Sequence, residues 1–195
     1  MTAIIDYGAG NTESVRLALA RLGVRAELTA SPARLLAADR VVLPGVGEAR
    51  AAMTRLRQTG LDELIPHLTQ PVLGICLGQQ LLTAFSDERA TPCLGVLPAT
   101  HTVRFGAGGG QKVPHLGWNQ LTTARGPLLA GVSVGAWVYF VHSYYVPVGP
   151  HTTAEATYGG AFSAAVQAGN FHAVQFHPEK SGAVGARILQ NFLAL

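Results

Sequence analysis

The first half of the chain repeats one pattern: a short apolar run, a turn carrying glycine or a helix-capping residue, then apolar residues at helical spacing. Residues 2–6 form the first run, and residues 8–10 the turn after it. Asn11 or Thr12 can cap a helix whose apolar face is Val15, Ala18, Leu19 and Leu22, and Gly23 stops it. Further runs at 24–28, 40–43 and 72–75 predict strands, and 48–59 predicts a helix ending at Gly60. A helix over 77–85 follows the last of these strands. Strands that are apolar throughout, with helices between them, belong to a mostly parallel sheet covered on both faces.

Beyond residue 100 the pattern changes. Runs at 101–105, 136–142, 152–157, 162–168 and 171–176 are separated by short turns, which predicts antiparallel pairing. A helix over 182–193 closes the chain. The glycine-rich stretch 106–110 predicts a flexible turn between strand segments, and no segment repeats. The expectation is one α/β domain over 1–195, a central mostly parallel sheet flanked by helices with antiparallel strands in the second half.

Composition narrows the function classes. With 195 residues, 48% hydrophobic and 13% charged, the chain can bury a sizeable core and is too apolar for disorder. The net charge of +3 invites a nucleic-acid reading, but the fourteen basic residues stand singly and build no stripe along which a phosphate backbone could lie. Two cysteines make no disulfide framework. No apolar stretch reaches the ~20 residues of a membrane span, and no leader is evident, so a reducing cytoplasm is expected. No His/Cys/Asp/Glu spacing suggests a metal site, and no cofactor is expected.

The chemistry concentrates in Gly74-Ile75-Cys76-Leu77-Gly78-Gln79-Gln80, between a predicted strand and a predicted helix. Small residues two before and two after Cys76 permit a sharp strand-to-helix turn that thrusts its side chain from the sheet edge. A thiol there sits at a helix N-terminus, whose positive potential favours thiolate, and the Leu77 amide points at an oxyanion formed on an attacked carbonyl. Read alone, the motif is equally consistent with a cysteine buried for packing.

A thiol nucleophile needs a proton acceptor, normally histidine. His177 stands in Gln175-Phe176-His177-Pro178-Glu179, after a predicted strand. Pro178 biases its predecessor toward extended geometry, in which residues two apart share a face. Glu179 then accepts the second imidazole N–H and fixes the tautomer. A third piece, Pro44-Gly45-Val46-Gly47, ends the 40–43 strand, where ligands bind in parallel sheets. The N–H of Val46 or Gly47 is a candidate second oxyanion donor. Cys93 has no neighbouring base and reads as packing.

These motifs resemble the class I (triad) glutamine amidotransferases, a flavodoxin-like fold. More narrowly they resemble the glutaminase subunits of imidazole glycerol phosphate synthase. Residues 5–11 (IDYGAGN), 44–47 (PGVG), 114–119 (PHLGWN), 139–145 (YFVHSYY) and 177–182 (HPEKSG) carry the narrower likeness, in order along nearly the whole chain. The resemblance implies a glutamine thioester on Cys76, with glutamate released and ammonia passed to a (β/α)8-barrel cyclase in a heterodimer. That cyclase makes imidazole glycerol phosphate and an aminoimidazole carboxamide ribotide in histidine biosynthesis. By position it implies that Gln80, Glu88, Ser143 and Tyr144 hold glutamine, and that Asn11, Trp118, Tyr139 and Lys180 face the cyclase. Thr12, Ala84 and Leu116 depart from the usual pattern. Two other readings remain at this point. One is a glutaminase subunit of another synthase, such as pyridoxal phosphate synthase; the other is a cysteine hydrolase on a related fold.

Overall fold

A computed structural model describes residues 1–8, 10–106 and 111–195. Its centre is an eight-stranded sheet in the order Ala26–Thr29, Thr2–Ile5, Arg40–Gly45, Val72–Cys76, Phe171–Val174, Ala161–Ala168, Thr152–Thr157, Thr123–Ala124. The first five pair parallel and the remaining three are added antiparallel, as the change of pattern along the chain predicts.

The inner parallel strands are largely apolar because both faces are covered, whereas the edge strand Ala26–Thr29 carries Glu27 in an ion pair with Arg34. Ile4, Val42, Leu73 and Ile75 point to one side, where they meet Val15 and Leu19 of the helix Thr12–Arg21 and Ile188, Leu189 and Phe192 of the helix Gly182–Ala194. Their neighbours Ile5, Val41, Leu43 and Val72 point to the other, against Ala52, Met53 and Leu56 of the helix Ala49–Gln58. The period of two in the strands and about 3.6 in the helices generates both layers. Asn11 holds the position before the first helix, yet its side chain makes no capping bond. The turn expected at 106–110 lies mostly outside the described residues.

Two smaller sheets flank the centre. His115–Gln120 and Trp137–His142 form an antiparallel ribbon, and Tyr144–Tyr145, Leu97–Arg104, Thr83–Ser86 and Thr91–Pro92 form a four-stranded sheet. The second of these corrects the sequence reading. The helix expected over 77–85 ends after Leu77–Leu81, and Thr83–Ser86 is a strand. The Thr83 hydroxyl donates to the Gln80 carbonyl at 2.7 Å, occupying an acceptor that a continuing helix would use. Pairing of Thr83–Ser86 with strands on both sides then outweighs local helical spacing. Among the described residues no helix is long and apolar enough to cross a membrane.

Candidate active site

Val72–Cys76 is the fourth strand of the central sheet, and Cys76 ends it with φ 55° and ψ −108°. A non-glycine residue there is strained, and the strain persists because the packing on both sides fixes it. A Cβ added at Gly74 would stand 2.9 Å from the Gly78 backbone, and one at Gly78 would overlap the Leu43 carbonyl oxygen. The chain thus turns from strand to helix inside a space that only glycine fits, leaving the thiol at the carboxyl end of the sheet. Cys76 is 6% exposed, and its Sγ lies 3.8 Å from the Val141 carbonyl oxygen.

His177 follows the neighbouring strand Phe171–Val174, which pairs parallel with Val72–Cys76. Its backbone is held on both sides: its N–H donates to Tyr139 O at 2.9 Å and its carbonyl accepts from Ser181 Oγ at 2.7 Å. Nδ1 lies 2.8 Å from Glu179 Oε1, with both side chains buried, while Nε2 is buried and makes no directed hydrogen bond among the described residues. That leaves Nε2 as the free proton acceptor. Burial disfavours the charged ring, but the adjacent Cys76 and the Glu179 carboxylate outweigh it and lift the His177 pKa to about 9. Helix Gly182–Ala194 fixes Glu179 from below, since a Cβ at Gly185 would overlap the Pro178 carbonyl oxygen.

A cavity of about 300 Å³ opens onto Cys76 and His177. Val46, Gly47 and Leu77 line it, as do Gln80, Glu88, Ser143 and Tyr144, so these candidate oxyanion and substrate positions converge on one space. Leu77 begins its helix, so its N–H is among those without an intrahelical acceptor. Gly47 adopts φ +97°, a left-handed backbone that suits glycine. Gln80 donates from Nε2 to Tyr144 O at 2.9 Å and to Gln175 Oε1 at 3.0 Å. With both amide protons committed, it offers a ligand only its acceptor oxygen. Glu88 Oε2 accepts the Ala49 N–H at 2.7 Å, and burial raises its pKa.

Trp118, Tyr139 and Lys180 come together on the outer face of the ribbon. Trp118 and Tyr139 are register partners with rings 6.0 Å apart, edge to face, and Lys180 Nζ lies 5.8 Å from the Tyr139 ring centroid. Leu116 and Trp137 are exposed on the same face. Asn11 stands apart in sequence, after Gly10, which lies against the Pro44–Gly45 backbone. Cys93 is half-buried outside the cavity, its thiol pushed up to about 11 by burial.

Sequence reasoning missed two features. Gln175 is fully buried and donates from Nε2 to Cys76 Sγ at 3.7 Å. Its only signal in the sequence is its place two residues before His177; the extended geometry expected over 177–179 gives way to a 3-10 turn at Pro178–Lys180, and it is this turn that brings Glu179 back onto His177. The second is a buried histidine pair: His115 Nδ1 lies 3.0 Å from His142 Nε2, and His142 Nδ1 lies 2.8 Å from Tyr144 O. No spacing along the chain signals that pair, because it forms across two strands.

Comparison with known proteins agrees with this geometry. The family model described as glutamine amidotransferase class-I matches residues 3–195. The imidazole glycerol phosphate synthase subunit HisH of Bacteroides fragilis (strain YCH46) is 51% identical over 194 residues, covering 99% of this chain and 98% of that one. The same subunit of Vibrio cholerae serotype O1 is 46% identical over 199 residues, covering 98% and 97%. A solved glutamine amidotransferase superposes with a TM-score of 0.76 at 20% identity, covering 98% of this chain and 97% of that one. PurLQS from Thermotoga maritima superposes with 0.72 at 17% identity, covering 99% and 97%. The two solved structures speak for the fold alone, but the sequence relatives share about half their residues with this chain from end to end, and by that measure it belongs to the class-I glutamine amidotransferases and, among them, to the HisH subunits of imidazole glycerol phosphate synthase.

Proposed function

We propose that the chain, acting as one amidotransferase domain, hydrolyses glutamine and delivers the ammonia to a (β/α)8-barrel cyclase subunit in histidine biosynthesis. The supporting observation is the buried Cys76 at a strained turn, beside an imidazole that Glu179 orients and whose Nε2 is free.

The proton of Cys76 passes to His177, whose raised pKa favours the imidazolium, and the thiolate so formed attacks the side-chain carbonyl carbon of glutamine. The oxyanion lies toward the amides of Leu77 and of Val46 or Gly47. Collapse breaks the C–N bond, and ammonia leaves with the proton that His177 returns. Water, deprotonated by the same ring, then cleaves the thioester to glutamate and restores the thiol. Glu179 keeps Nδ1 protonated and stabilises the imidazolium in each step. Gln80 Oε1 and Glu88 are acceptors for the substrate ammonium, and Ser143 and Tyr144 hold its other end.

Asn11, Trp118, Tyr139 and Lys180 face the cyclase. Contact there reaches the base through the backbone, since Tyr139 O accepts the His177 N–H. The Val46 side of the oxyanion site turns inward only when the partner docks, so the free chain works slowly. A cytoplasmic location goes with this pathway. Glutamate release should be negligible with the free chain, rise on adding the cyclase and its ligand, and disappear in Cys76→Ser. Peptidase or esterase activity without glutaminase activity would overturn the reading.

A further inference from the structure

We infer that Gln175 is a fourth catalytic residue, a hydrogen-bond donor that holds the Cys76 sulfur and favours its anionic form. The inference rests on reading Cys76 as the nucleophile.

The orientation of the Gln175 amide is dictated by its neighbours. The Tyr144 carbonyl can only accept, so Gln80 must turn its NH2 toward it, at 2.9 Å. The second proton of that NH2 goes to Gln175 Oε1 at 3.0 Å. Were the Gln175 amide reversed, two NH2 groups would face each other in a buried site, each losing an acceptor. The Gln175 NH2 is therefore directed at Cys76 Sγ, 3.7 Å away. Its backbone is anchored as well, with N–H donating to Ala164 O at 2.8 Å. The side chain is fully buried, so water does not replace the contact.

The chemistry follows from which form of sulfur each neighbour prefers. The protonated thiol donates toward the Val141 carbonyl at 3.8 Å, an interaction lost on ionisation. A thiolate is a far better acceptor than a thiol, so the Gln175 bond strengthens as the proton leaves for His177. Gln175 and His177 stand two residues apart, just past the end of the strand Phe171–Val174. Both neighbour the sulfur, one as donor to the anion and one as acceptor of its proton.

The test is iodoacetamide alkylation of Cys76 in the full-length chain, followed by peptide mass spectrometry so that Cys93 is read separately, across a range of pH. Gln175→Met removes the donor, and Gln175→Glu keeps an acceptor for Gln80 while replacing the donor with a carboxylate. Both should slow alkylation at neutral pH about tenfold, as expected for losing a hydrogen bond to an anion, and move the rate profile to higher pH. Partner-stimulated kcat should fall by a similar factor with KM little changed. An unshifted alkylation profile in either folded variant overturns the inference, and loss of fold in both would assign Gln175 to packing and overturn it too. Glutaminase activity surviving in Cys76→Ser would instead sink the nucleophile assignment, so the two failures are distinguishable.

Discussion

At the residue scale the site is an arrangement of charge. Glu179 is nearly fully buried and bonds His177 through one oxygen, leaving Oε2 without a partner among the described residues. Replacing it by glutamine keeps the shape but frees the ring to adopt the wrong tautomer. Glu179→Gln should lower partner-stimulated kcat by about 10² to 10⁴-fold while leaving glutamine KM within a few-fold. The same ring sets a pH dependence of stability. The folded chain keeps His177 protonated to about pH 9, whereas an unfolded chain releases that proton near 6.5. The folded state thus binds more protons in between. Stability from this group is fully present below 6.5 and is lost as pH rises through 9, and Glu179→Gln should flatten that limb in urea titrations. That His177 and Glu179 meet is legible in the chain, although a 3-10 turn at Pro178–Lys180 and not an extended segment brings them together. The meeting of Cys76 with His177 is not, because it depends on two strands pairing in parallel register.

At the element scale, the strand-to-helix turn and the ribbon carry the geometry. Gly78→Ala must displace either Leu43 or the helix start, and overpacking of this kind costs about 3 kcal/mol, roughly 10 °C in Tm by calorimetry. The short helix after Cys76 shows where local pattern fails. Its spacing supports a helix to residue 85, but Leu77–Leu81 suffices to seat Gln80, and the next residues satisfy their backbone in a sheet. On the inner face of the ribbon, burial lowers the pKa of His115 to about 4 and of His142 to about 3. Here the sign is opposite to that of His177. Below 6.5 the unfolded chain binds protons that the folded ribbon refuses, so stability falls as the solution is acidified toward 4. Replacing His142 by Gln should weaken this acid sensitivity in denaturant titrations, although stability at neutral pH drops with the lost bond to Tyr144.

At the scale of the whole molecule, one ribbon serves two faces. Val138, Phe140 and His142 point into the core, while Trp118 and Tyr139 point outward beside exposed Leu116 and Trp137. Trp118→Ala should cost about 2 kcal/mol or more of partner affinity, roughly thirtyfold in Kd by calorimetric titration, with the free chain's melting temperature nearly unchanged. What the sequence determined by itself was everything that depends on neighbours along the chain. That covers the two periodicities, the turn around Cys76, the closeness of His177 and Glu179 along the chain and the motifs shared with a known family. Tertiary structure alone decided the strand order that joins residues 76 and 177, the conversion of residues 83–86 from helix to strand, and the partners of Gln175, His115 and His142. The reason is physical. Backbone preference and side-chain period are local energies, whereas a hydrogen bond between distant residues exists only after the sheet has fixed which strands lie side by side.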